Sequence, residues 1–180
     1  MQIQKTNIED LLIINPAVFK DSRGAFFESY NKQLFASHGL DMEFVQDNQS
    51  ISNKGVIRGI HLQIPPFAQG KLVSVVHGSA LDVAIDIRKS SPTFGKYVTV
   101  KLDSENNTFF WIPEGFAHGF AALEDNTIFQ YKVTNYYNKD SEISIRWNDP
   151  LLNIQWGIDS PVVSEKDCKS LLFKDFVSPF

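Results

Sequence analysis

Between Glu43 and Trp147 the chain is a succession of short runs dense in Val, Ile, Phe, Thr and Tyr, separated by turn residues. The clearest are Lys71 to His77, Leu81 to Ile87, Tyr97 to Leu102, Thr108 to Ile112, Thr127 to Asn135 and Ile143 to Trp147. Strand-length runs at this spacing predict an all-β sandwich or barrel. The segment before them predicts an extended opening, a turn at Asp21-Ser22-Arg23-Gly24, and a short helix from Asn31 to His38 with Asn31 as N-cap and Gly39 as stop. Ser164-Glu165-Lys166-Asp167, ahead of an apolar stretch, predicts the start of a second short helix. No repeat, low-complexity tract or linker interrupts the pattern, so residues 1–180 read as one domain.

Alternation along the runs assigns faces. Thr127, Phe129, Tyr131 and Val133 share one face of their strand, and Ile128, Gln130 and Lys132 the other. Lys71 shares a face with Val73 and Val75, so its ammonium points into an apolar layer, either snorkelling to the rim or placed there for chemistry. In the run Val56 to Gln63, three polar residues, Arg58, His61 and Gln63, interrupt an otherwise core-like strand. Strict alternation sets Arg58 and His61 on opposite faces; a bulge at Gly59 would bring them to the same side.

Composition narrows the class. The chain has 180 residues, 43% hydrophobic and 21% charged, the profile of a globular domain with a substantial core. A formal charge of −4 argues against a dedicated nucleic-acid binder but leaves an anionic small molecule open. A single cysteine, Cys168, excludes an intrachain disulfide and fits a reducing compartment. The run Leu11 to Ile14 is too short for a signal core and no later stretch approaches a membrane span, so a cytoplasmic protein is expected.

The candidate chemistry centres on two histidines. For His61 alone a structural imidazole is the simpler reading. His118 sits in Pro113-Glu114-Gly115-Phe116-Ala117-His118, a tight turn re-entering a strand on which His118 shares a face with Phe116 and Phe120. This resembles the second motif of the cupin superfamily, whose histidine often binds metal. The first motif would then need His-x-His and a carboxylate, whereas the chain reads His61-Leu62-Gln63, and too few donors remain for a metal that wants three or four. Without metal, the residues suit removal of a proton beside a carbonyl. Histidine is a base near neutral pH, a carboxylate partner would fix its tautomer, and Lys71 can stabilise an enolate oxygen. Tyr131 can return a proton from the opposite face. The plainer readings are a core aromatic for Tyr131 and a capping box for Asp167.

The ordered set of motifs resembles the dTDP-4-dehydrorhamnose 3,5-epimerase family of metal-independent cupins. It runs from Asp21-Ser22-Arg23-Gly24-Ala25-Phe26-Phe27-Glu28 through Gln46-Asp47-Asn48-Gln49-Ser50, Arg58-Gly59-Ile60-His61 and Gly70-Lys71-Leu72-Val73. It continues through Leu81 to Arg88, Ile112 to Phe120, Tyr131, Tyr136-Tyr137, Glu142, Trp147-Asn148-Asp149-Pro150 and Ser164 to Asp167. The resemblance implies a cupin-like jelly-roll barrel (a double-stranded β-helix) with a few short flanking helices, and a 4-keto-6-deoxy sugar nucleotide as substrate. It implies His61 as base paired with Asp167, Tyr131 as acid, and Lys71 near the C4 oxygen. Arg23, Glu28, Gln46, Asn48, Arg58, His118, Glu142 and Lys166 match binding positions, and no cofactor is implied. It also implies a homodimer in which the N-terminal region of one copy, with Arg23 and Glu28, completes the partner's site. Leu62 and Ser74 depart from the family's usual aromatic and basic residues. An epimerase acting at C3 alone or C5 alone, and a sugar-binding cupin without activity, remain as alternatives.

Overall fold

The computed structural model describes residues 1–180. The first strands are β1 (Gln2–Lys5), β2 (Leu12–Asn15), β3 (Phe19–Asp21) and β4 (Gly24–Phe26), followed by helix α1 (Lys32–Ser37). The barrel strands are β5 (Gln46–Ser52), β6 (Val56–Gln63), β7 (Lys71–His77), β8 (Ser79–Asp86), β9 (Tyr97–Asp103), β10 (Phe109–Ile112), β11 (Phe116–Ala122) and β12 (Thr127–Val133). Two short strands, β13 (Glu142–Ser144) and β14 (Val162–Val163), and helix α2 (Glu165–Cys168) complete the elements used below.

The barrel is a long hairpin rolled up. β8 pairs with β9, β7 with β10, β6 with β11 and β5 with β12, each antiparallel and nested inside the next. Rolling then sets β12 against β7 and β11 against β8. The result is two facing sheets, one ordered β1-β2-β10-β7-β12-β5 and the other β13-β6-β11-β8-β9, with β14 running parallel to the start of β6. This is the jelly-roll barrel that the motifs implied, and the helices are two short flanking ones.

Three apolar clusters hold it together. Between the sheets lie Val73, Val75, Ala80, Ala84, Phe110, Ile112, Phe116, Phe120 and Phe129, closing one end of the barrel. Phe120 and Phe129 face each other from opposite sheets with ring centroids 3.9 Å apart. The outer face of β6, β8 and β11 is covered by residues after Ser144, including Ile145, Leu152, Trp156 and Phe176. The outer face of the other sheet, with Leu72, Phe109 and Trp111, is covered by α1 and its flanks through Phe35, Tyr30 and Phe44. Asn31 caps α1 by accepting from the Leu34 amide, and His38 closes it, matching the bounds read from sequence.

The bulge at Gly59 is present. His118 stands opposite His61 and Phe120 opposite Arg58, so two steps along β11 match three along β6. Gly59 has φ of +124°, and a Cβ there would lie 2.6 Å from Gly119 Cα and 2.9 Å from the His118 carbonyl oxygen. The two glycines thus let β6 and β11 approach closely while Arg58 and His61 turn to one side. Gly59→Ala is expected to cost about 3 kcal/mol or more of stability, since a strained φ and a backbone clash act together; chemical denaturation measures it.

Candidate active site

The end of the barrel left open by the apolar filling is a cavity of about 700 Å³. Its walls come from the polar inward positions that alternate with core residues. β5 gives Gln46, Asn48 and Ser50, β6 gives Arg58, His61 and Gln63, β7 gives Lys71, β11 gives His118 and β12 gives Tyr131. Beyond the barrel, β13 supplies Glu142, the preceding loop Tyr137, and α2 Lys166 and Asp167.

His61 and Asp167, 106 positions apart in sequence, meet with Nε2 2.6 Å from Oδ1. α2 makes this possible. The Ser164 hydroxyl caps it by accepting from the Asp167 amide, as the capping motif predicted, yet the Asp167 carboxylate turns to the imidazole. Burial alone would raise the Asp167 carboxyl; the bonds and charge of His61, with the Ser164 hydroxyl and Gly59 amide, outweigh it and hold the group below its ordinary range. An ionised carboxylate can only accept, so Nε2 carries the hydrogen and donates it to Asp167 Oδ1, which leaves Nδ1 with its lone pair.

Lys71 is 8% exposed, on the face alternation assigned it, with no carboxylate within ion-pairing distance. Burial lowers its amine to about 8, opposed only by the more distant charges of Asp82 and Glu142. His118 bonds through Nε2 to Asp82 Oδ2 at 2.8 Å, and burial disfavours charge on both: the imidazole is shifted down and the carboxyl up. Asp82 has a second oxygen, Oδ1, buried without a partner. Residue type alone does not single out Asp82; the signal the sequence carries for it is a carboxylate at an inward position between Ala80 and Ala84. No cluster of three or more His, Cys, Asp or Glu side chains here has metal-binding geometry.

Tyr131 stands on β12, in the sheet opposite His61 on β6. Burial raises its phenol, with the Arg58 charge acting the other way. At the mouth, Glu142 accepts from Lys166 at 2.5 Å and from the Tyr137 hydroxyl at 3.1 Å. Arg58 is steered by Ser52, its Nε donating to the hydroxyl at 3.1 Å. Gln46 donates to Asn48 and accepts from the Tyr137 amide.

Ten of the twelve candidate residues therefore line one cavity, as the cavity's lining residues include all but two. Arg23 and Glu28 are the two outside it. Arg23 pairs with Asp21 on the β3–β4 hairpin, and Glu28 accepts from Asn31. That hairpin forms its own two-stranded sheet, with Phe19 66% and Phe26 67% exposed.

A family model described as dTDP-4-dehydrorhamnose 3,5-epimerase matches residues 5–175. A dTDP-4-dehydrorhamnose 3,5-epimerase from Shigella flexneri is 53% identical over 176 residues, 97% of each chain. Among solved structures, dTDP-6-deoxy-D-glucose-3,5-epimerase from Legionella pneumophila in complex with dTDP-4-keto-L-rhamnose superposes with a TM-score of 0.94. It is 46% identical, covering 98% of this chain and 94% of its own. A 3′-monoepimerase from Streptomyces bikiniensis in complex with dTDP-quinovose superposes at 0.87 with 32% identity, over 93% and 86% of the two chains. Matched along nearly its whole length, with its polar residues gathered in one barrel mouth, this chain belongs to the dTDP-4-dehydrorhamnose 3,5-epimerase family.

Proposed function

We propose that the chain epimerises C3 and C5 of dTDP-4-dehydro-6-deoxy-D-glucose, giving dTDP-4-dehydro-L-rhamnose, through enolates and without a cofactor. One observation carries this reading: the His61–Asp167 pair and the Tyr131 phenol stand on opposed sheets of a single cavity. A base and an acid on opposite walls suit inversion, because the proton leaves one face of the sugar and returns to the other.

The C4 carbonyl makes the C3 and C5 protons acidic. His61 takes the carbon-bound proton, Asp167 stabilises the imidazolium, and the C–H electron pair moves into the C4 oxygen as an enolate. Lys71, with His118 beside it, faces that developing charge in a site too buried for water to screen it fully. Tyr131, whose burial keeps the phenol protonated, donates to carbon from the other side. His61 then loses its proton to solvent and Tyr131 regains one, so the reaction is a net isomerisation with solvent exchange.

Arg58, Gln46, Asn48, Glu142 and Lys166 hold the nucleotide and its diphosphate in this reading, arginine through its planar fork. Arg23 and Glu28 serve the site of a second copy: the exposed Phe19 and Phe26 of their hairpin are what a homodimer would cover. The 53% identity to a 3,5-epimerase, against 32% to a 3′-monoepimerase, favours action at both carbons.

Proton-exchange NMR with dTDP-4-keto-6-deoxyglucose in deuterated buffer tests the assignment. Deuterium is expected at C3 and C5; label at C3 alone would make the chain a monoepimerase, and no label would defeat the enzyme reading. Tyr131→Phe is expected to lower epimerisation about 10²-fold, within the range for losing a general acid. Exchange at C5 with retention of configuration should persist, because the base remains.

A further inference from the structure

Gln63 stands two residues beyond His61 on the cavity side of β6, 6% exposed, and the reaction described above gives it no part. Its amide nitrogen donates to the Phe67 carbonyl at 2.6 Å and to the Tyr136 carbonyl at 3.1 Å. Its amide oxygen accepts from the Asn138 amide at 2.7 Å. A glutamine has two N–H donors, and both are spent on the protein's own backbone. Gln63 is therefore poorly placed to bind a ligand with its nitrogen and well placed to hold chain segments together.

The two backbone groups it grips at Tyr136 and Asn138 flank Tyr137. The stretch joining β12 to β13 closes with a single 3-10 turn at Lys139–Ser141, and ahead of that turn backbone polar groups of residues 134–138 find partners on other segments. Gln63 satisfies two of them, and Gln46 a third by accepting from the Tyr137 amide. Tyr137 itself lines the cavity yet is 55% exposed, so little packing fixes it. Its hydroxyl reaches Glu142, which pairs directly with Gln63 across β13 and β6. A buried amide thus links the strand bearing the base to the aromatic rim of the mouth.

We propose that Gln63 is a positioning residue that fixes the Tyr137 segment at the cavity mouth, and so governs nucleoside-diphosphate binding rather than proton transfer. This rests on the nucleotide-sugar reading above.

The test uses Gln63→Met in the full chain, close in volume but without amide donors or acceptor. Dissociation constants for dTDP by calorimetry, KM, kcat and thermal midpoint are compared with wild type. The dissociation constant and KM should rise about tenfold, the scale of a lost backbone tether or two, with kcat kept within about threefold. A merely structural role would lower the midpoint and leave the affinity of the folded fraction unchanged, which overturns the proposal; so does a kcat loss larger than the affinity loss. In a Tyr137→Ala background Gln63→Met should change affinity less than about twofold, and full additivity would show that it does not act through Tyr137. Should the variant not fold, hydrogen exchange in wild type decides. An Asn138 amide protected like those of the β-ladder supports the clamp, and one exchanging like an exposed loop overturns it. Wild type failing to bind dTDP sinks the nucleotide reading and this inference with it. Wild type binding while the variant binds equally well sinks this inference alone.

Discussion

His61→Ala is expected to lower turnover about 10⁴-fold and to stop solvent deuterium entering at both C3 and C5. The two losses should be equal, because in the proposed mechanism one imidazole serves both carbons while Asp167 serves only the imidazole. The Asp167 carboxylate, already held in its ionised form by His61, has no substrate-facing duty in this scheme. Asp167→Asn should therefore leave measurable exchange where His61→Ala leaves none. Unimpaired turnover in His61→Ala, read by the same NMR assay, would remove His61 from the mechanism. Loss of exchange at one carbon only would require a second base for the other.

The second large effect is assigned to Lys71. Lys71→Met keeps much of the stem's bulk but removes the cation proposed to face the C4 oxygen, and a fall in kcat of about 10²–10³-fold is expected, the scale of losing one preorganised donor to an oxyanion. The pH profile gives a sharper signature. The amine is lowered by burial to about 8, so it is charged below that pH and neutral above it. Enolate stabilisation needs the charged form. For wild type, kcat/KM should thus fall as pH rises through about 8, and Lys71→Met should lack that alkaline limb. An unchanged limb in the variant would assign it to another group and leave Lys71 without the electrostatic role.

Much of this cavity lining is legible in the sequence, and the reasons are particular. Lys71, Tyr131 and His118 lie in regular strands where alternation holds, so their inward faces follow from the spacing of Val73, Phe129 and Phe116. Arg58 and His61 break alternation; only the glycine between them hinted at the bulge that unites them. β5 was hard to see because its inner face lines the cavity with Gln46, Asn48 and Ser50 instead of apolar residues, which makes a barrel strand look like a polar loop. The meeting of His61 with Asp167 has no local signal at all: it depends on the segment after Ser144 packing over the outer face of β6 and β11, and only the family resemblance anticipated it. The Asp82–His118 bond and the Gln63 clamp are hidden in the sequence for a related reason. Their partners are set by strand neighbours and loop carbonyls, which residue type and spacing do not encode.

The nested hairpin carries a kinetic consequence. Its outermost pair joins β5 to β12, so Gln46 meets Val133 across a loop of most of the barrel. Contacts of such long sequence separation make a chain slow to fold, since the entropy of closing the loop is lost before the pairing energy is gained. The His61–Asp167 pair is a still longer closure, since α2 brings Asp167 to β6 across 106 positions of sequence. Recovery of exchange activity during refolding should accordingly trail the recovery of β-structure, making catalysis itself the clock for the final docking step.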